Sequence, residues 1–152
     1  MATDFFSLTF MIPVPAVAIY AHLIDPHSYI GLSPLVVEVR DVRADRDPQD
    51  RDTVSYVAVE RFRAGPLRWD NPIRVTMTGT RPGHQLVSEV VSPGRVRLTA
   101  TVDLASTTDG TEVTETINVR SPGPLRRFVV RQARAVQRQR AAELTRRMAG
   151  AA

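Results

Sequence analysis

The chain has 152 residues, 43% hydrophobic and 24% charged, with no cysteine; it can bury a real core, and disulfides, thiol catalysis and thiolate metal sites are excluded. The net charge is +4 and all 20 basic residues are arginine, which raises the isoelectric point without naming an anionic partner. Phe5–Ile24 is rich in apolar residues, but Pro13, Pro15 and His22 interrupt it, so with no basic leader it is expected not to span a bilayer, and a cytoplasmic protein is expected.

In chain order, Asp4–Ile12 alternates, with Phe6, Leu8, Phe10 and Ile12 on one face; that pattern predicts a half-buried strand. Pro13 and Pro15 end it. Ala16–Ile24 reads as a short helix burying Val17, Tyr20, Ala21 and Ile24. Asp25-Pro26 then supplies a capping side chain and a first-turn proline, so a second short helix is expected over Pro26–Ile30. Leu35–Arg43 reads as a strand, and the charged stretch Ala44–Asp52 as a solvated hairpin loop. Thr53–Arg63 follows, with Val54, Tyr56, Ala58, Glu60 and Phe62 inward. After Gly65-Pro66, Leu67–Thr80 places Leu67, Trp69, Asn71, Ile73, Val75, Met77 and Gly79 on one face. Gln85–Val91 is a strand with two partly apolar faces and no orientation legible in its pattern. Arg95–Ala105 alternates most clearly, with Val96, Leu98, Ala100, Val102 and Leu104 inward. Thr111–Arg120 turns Val113, Glu115, Ile117 and Val119 inward.

The last element is the longest. Pro124–Met148 opens with a proline where a first helical turn tolerates one, and it lacks internal glycine. Leu125, Val129, Gln132, Val136, Gln139, Glu143 and Met148 recur at helical spacing, with Leu144 beside them. Eight arginines, 126, 127, 131, 134, 138, 140, 146 and 147, coat this helix; they read as a solvated face. The expected architecture is α+β: a curved antiparallel seven-stranded sheet wrapped around a long C-terminal helix, with two short helices after the first strand, forming one domain over 1–152. Such a helix seldom fills the concavity of its sheet, so a pocket between the two is expected.

Element order, Ala18-Ile19-Tyr20 on the first helix, Asp25-Pro26 after it, Gly110-Thr111 at the last strand and Gly123-Pro124-Leu125 at the last helix together resemble the START-like (SRPBCC) superfamily, and within it the polyketide cyclase/dehydrase and lipid-transport group. The resemblance implies a helix-grip fold with a deep, mostly apolar cavity for lipids, sterols or polyketides. Where relatives often carry a tryptophan after the Asp-Pro turn, this chain reads Ile30-Gly31-Leu32-Ser33-Pro34.

The ligand-facing residues expected are Tyr20, Tyr56, Glu60, Trp69, Asn71, Met77, Glu115, Phe128, Gln132 and Val136. Glu60 and Glu115 read either as polar anchors or acid/base groups in the pocket, or as carboxylates paired with arginine near its mouth. The aromatics Tyr20, Tyr56, Trp69 and Phe128 also fit plain core packing. His22, His27 and His84 lack metal-ligand spacing and read as surface residues; no metal and no cofactor is expected. No nucleophile elbow or phosphate-cradling loop is present. Three readings of function remain open. The first is a binding or carrier protein for a small hydrophobic molecule. The second is a polyketide cyclase/dehydrase in which Tyr56, Glu60, Asn71 or Glu115 handles protons. The third is an interaction protein using the basic helix. No specific nucleic-acid site is expected, only weak salt-sensitive contact with anionic surfaces; the chain is expected to be a monomer or homodimer.

Overall fold

A computed structural model describes residues 1–150 of the chain. Strand β1 (Ala2–Ile12) alternates as its sequence does: Phe6 and Ile12 are buried, while Phe5 and Met11 face out. Helix α1 (Ala16–Leu23) is rotated from the expected face: Tyr20 and Ile24 pack partly buried against the core, but Val17 and Ala21 do not. Ala16, Ile19 and Leu23 are buried and Val17 is exposed. Nearly every residue of α1 is apolar, so its own pattern marks no outer side, and packing sets its rotation. At Asp25-Pro26 the Asp25 carboxylate accepts a hydrogen bond from the His27 amide at 3.0 Å. A 3-10 turn (Pro26–Ser28) leads into α2 (Tyr29–Leu32), which is kinked at Ile30 and Gly31.

Six strands follow: β2 (Val36–Arg46), β3 (Asp52–Ala64), β4 (Leu67–Arg81), β5 (Gln85–Ser92), β6 (Val96–Thr107) and β7 (Gly110–Ser121). The charged stretch expected as a loop over Ala44–Asp52 is shorter than expected: its centre, 47–51, is loop, but pairing continues out to Arg46 opposite Asp52. β2 is an edge strand exposed along most of its length, so charged side chains on either face do not oppose it. The seven strands form one antiparallel sheet in the order β1-β7-β6-β5-β4-β3-β2. In β5 the inward face is that of Leu86, Ser88, Val90 and Ser92.

A 3-10 turn (Gly123–Leu125) opens into α3 (Arg126–Gly150), which lies across the concave face. The expected stripe is correct as far as Val136 and again at Leu144 and Met148, but not at Gln139 and Glu143. Gln137, Leu144 and Met148 are the buried positions; Gln139 is exposed, and Glu143 lies on the flank, bound by Arg146 and Arg147. The larger core cluster, with Ile12, Ile19, Leu23, Leu32, Met77 and Leu86, sits at the end of the sheet covered by α1 and α2. A smaller one, Phe6, Ala100, Ile117 and Val119, lies under the first half of α3 and packs against Val129. Between them the helix stands off the sheet. Among the described residues no helix is long and apolar enough to cross a membrane.

Candidate functional site: a cavity between the sheet and the last helix

Alternate residues of each strand face the concave side, so all seven strands contribute to one wall. The result is a cavity of about 410 Å³, within the range of small-molecule sites. Ile73, Val75, Val90, Leu98, Ala100 and Ile117 make its apolar floor, and Val129, Ala133 and Val136 of α3 make its roof.

The mouth lies at the N-terminal end of α3. Phe62 and Trp69, directly opposite one another on β3 and β4, stack with centroids 5.6 Å apart. Trp69 is 49% exposed; across the opening Phe128 is 53% and Leu125 42% exposed. All four line the cavity.

Polar groups fall into two clusters. In the first, Arg140 donates to the Glu115 carboxylate at 2.6 Å and to Ser33 Oγ at 3.2 Å, while Gln137 Nε2 donates to the Glu115 carbonyl at 3.0 Å. Both members of the ion pair are largely buried, at 15% and 12% side-chain exposure. Burial works against the Arg140 charge, and the Glu115 carboxylate outweighs it. Beside them the Tyr29 and Tyr56 rings lie 6.4 Å apart. Burial pushes both phenols up, against the opposing pull of the Arg140 guanidinium, so they remain donors. The second cluster joins β3, β4 and β5. Asn71 Nδ2 reaches Glu60 Oε1 at 3.5 Å and Ser92 Oγ at 3.3 Å. Burial raises the Glu60 carboxyl above the usual range, and the Asn71 hydrogen bond only partly offsets this.

Of the residues singled out in the sequence, Tyr56, Glu60, Trp69, Asn71, Glu115, Phe128, Gln132 and Val136 line the cavity. Tyr20 and Met77 do not. Met77 is fully buried in the core cluster with Ile19 and Leu23, because α1 covers that part of β4. Tyr20 lies over Gly79, two residues further on, where a Cβ would overlap its hydroxyl oxygen. Two arginines read as part of the solvated helix face are inside. Arg140 is in the cavity, and Arg147 donates to the Ser28 and Ile30 carbonyls at 2.6 and 3.0 Å. His22, read as a surface residue, is half-buried against Arg147 at 3.3 Å.

Tyr29, Ser33, Gln137 and Arg140 escaped the sequence reading. One signal was present for Arg140: it stands four residues after Val136 and four before Leu144, on their line. The alternation of β7 places its partner, Glu115, inward. Among the described residues no three potential metal ligands gather.

No family model and no curated protein matches this chain. Solved structures do. A START superfamily protein from Mycobacterium smegmatis superposes with a TM-score of 0.74 at 14% identity, over 97% of this chain and 99% of that one. The Zhui aromatase/cyclase from Streptomyces sp. R1128 gives a TM-score of 0.63 at 16% identity, over 96% of each chain. The di-domain aromatase/cyclase StfQ from the steffimycin biosynthetic pathway gives 0.66 at 13% identity over 97% of this chain, which spans 52% of that protein. The fold is therefore START-like, of the helix-grip type.

Proposed function

We propose that the chain binds one small hydrophobic molecule between the sheet and α3, as a binding or carrier protein. The observation that carries this is the standing gap of about 410 Å³ beneath the helix, with an apolar floor and a mouth between Trp69 and Phe128. A site left this large in an otherwise packed interior forfeits packing energy unless something occupies it. The two polar clusters suit an elongated ligand with a hydrogen-bonding group at one or both ends. Tyr29, Tyr56 and Arg140 offer donors at one; Glu60 and Asn71 offer a carboxyl and an amide at the other. Ligands of this description include fatty acids, sterols and polyketides.

Native mass spectrometry of freshly purified protein tests the proposal. The expected spectrum contains a non-covalent adduct of small-molecule mass, removed by organic solvent. Val136→Asp, which puts a charge in the roof, should abolish the adduct while the sheet remains folded. Apo protein that takes up no fatty acid, sterol or aromatic polyketide would overturn the reading.

A second reading has one observation behind it: Glu60, a buried carboxyl with a raised pKa, faces the cavity and is able to accept or deliver a proton. On this reading the chain is a polyketide cyclase/dehydrase acting on a poly-β-keto intermediate, with Tyr56, Asn71 and Glu115 as further proton-handling groups. Glu60→Gln separates the two. It should leave ligand uptake within a few fold under the binding reading, and should abolish turnover of a poly-β-keto substrate under the enzymatic one.

A further inference from the structure

We infer that the mouth end of the molecule docks on the surface of an anionic lipid bilayer. The mouth carries an apolar rim: Leu67, Trp69, Leu125 and Phe128 are 67%, 49%, 42% and 53% exposed. Side chains of this size gathered at one opening are what an interface between water and hydrocarbon accepts, tryptophan above all.

Charge selects among surfaces. Arg63 and Arg68 face each other directly across the tip of the β3–β4 hairpin, one step from Leu67 and Trp69. Like charges in that position repel, and a sheet tolerates them at a cost unless an anion lies between or beside them. Arg95 crowns the β5–β6 turn, and Arg127 sits in the first turn of α3 between Leu125 and Phe128. All four arginines are exposed, and among the described residues none has an acidic partner at ion-pair distance. Of the acids at this end, Asp4 and Asp70 are already held by Arg126 and Arg61, and Glu38 lies on the edge strand near Arg61, away from the four free arginines.

The opposite end is different. Asp45, Asp47, Asp50 and Asp52 crowd the β2–β3 hairpin, and Asp109 sits at the β6–β7 turn. Arg46 and Arg51 pair with Asp47, Asp50 and Asp52 there, so the molecule has one end with unpaired cations and an apolar rim, and one end whose charges are largely matched. A bilayer with negative headgroups matches the first in both respects, and each arginine near such a surface contributes about fivefold to partitioning. An exposed acidic protein would satisfy the arginines and leave the aromatic rim in water.

Co-flotation of the full chain with vesicles tests this without reading the cavity. Expected is strong binding to phosphatidylcholine vesicles containing phosphatidylglycerol, little to phosphatidylcholine alone, and weakening as salt shortens the screening length. Replacing Arg63, Arg68 and Arg127 together by Ser should lower partitioning by about a hundredfold, at about fivefold per arginine. The control replaces three exposed arginines away from the rim, Arg43, Arg81 and Arg138, by Ser, for the same change in net charge. It should lose at most a few fold. Leu67→Ser, outside the cavity, should weaken binding even at low salt. Equal losses in the two triple variants, or no flotation with the anionic vesicles, would overturn the proposal. Either result leaves ligand uptake, measured separately by mass spectrometry, untouched.

Discussion

Arg140 of α3 and Glu115 of β7 form an ion pair at 2.6 Å inside the cavity, the helix contributing the cation and the sheet the anion. Removing one partner strands the other in a poorly solvated place. Arg140→Met is therefore expected to destabilise by about 3 kcal/mol, and Glu115→Gln by a comparable amount. The double variant Arg140→Met/Glu115→Gln should cost clearly less than the sum. Urea unfolding of all four proteins measures the coupling; strict additivity would mean the pair is not formed.

Tyr20 and Gly79 make a second prediction. The Tyr20 hydroxyl is buried without a hydrogen-bond partner among the described residues, so Tyr20→Phe should be neutral or slightly stabilising. Gly79→Ala alone should destabilise, because the new methyl overlaps that hydroxyl oxygen. The next nearest ring atom, Cζ, is at an ordinary 3.4 Å. Tyr20→Phe should therefore rescue Gly79→Ala, and thermal melts of the two single variants and the double variant decide it.

Gly110 and Gly65 should respond differently to alanine. Gly110 has φ +139°, and a Cβ there would overlap the Ile12 carbonyl oxygen and lie 2.6 Å from Pro13 Cα. Gly110→Ala is expected to cost several kcal/mol through strain and displaced backbone. Gly65, at φ +60° with nothing within 4 Å, should cost only about 1 kcal/mol. Equal melting-temperature losses would contradict this.

Glu60 gives a pH dependence with a definite sign. Its folded pKa is raised, chiefly by burial. The folded state therefore holds the proton more tightly than the unfolded chain. That contribution to stability is fully present below the ordinary carboxyl value of 4.5 and is lost as pH rises through the folded value. In Glu60→Gln the corresponding decline should disappear from a stability–pH profile measured from about pH 4 to pH 8.

The strands were legible because period-two alternation is local: β6 and β7 declare their inner faces residue by residue. The helix faces were less so. In α1 nearly everything is apolar, and in α3 the arginines masked the inward line, since a buried arginine makes sense only beside an acid from another element. Glu115 is 25 residues away in the chain, and no short-range pattern joins the two. The β2–β3 loop was overextended for a similar reason. A run of charge resembles a loop in sequence, whereas an edge strand carries charge on either face without penalty. Tyr20 and Met77 failed as cavity residues because strand parity gives the face but not which stretch of it a helix covers.

The sheet order has a consequence for how the chain reaches this state. β1 hydrogen-bonds to β7 alone, so Thr9 finds Thr114, 105 residues later. The first strand of the sheet must wait for the last. Until β7 exists, the alternating apolar face of Phe6, Leu8, Phe10 and Ile12 has no neighbour in the sheet, and α3, which follows β7, has yet to roof the concavity. Folding of this chain is therefore expected to be slow, with an unpaired, sticky first strand as its most exposed moment.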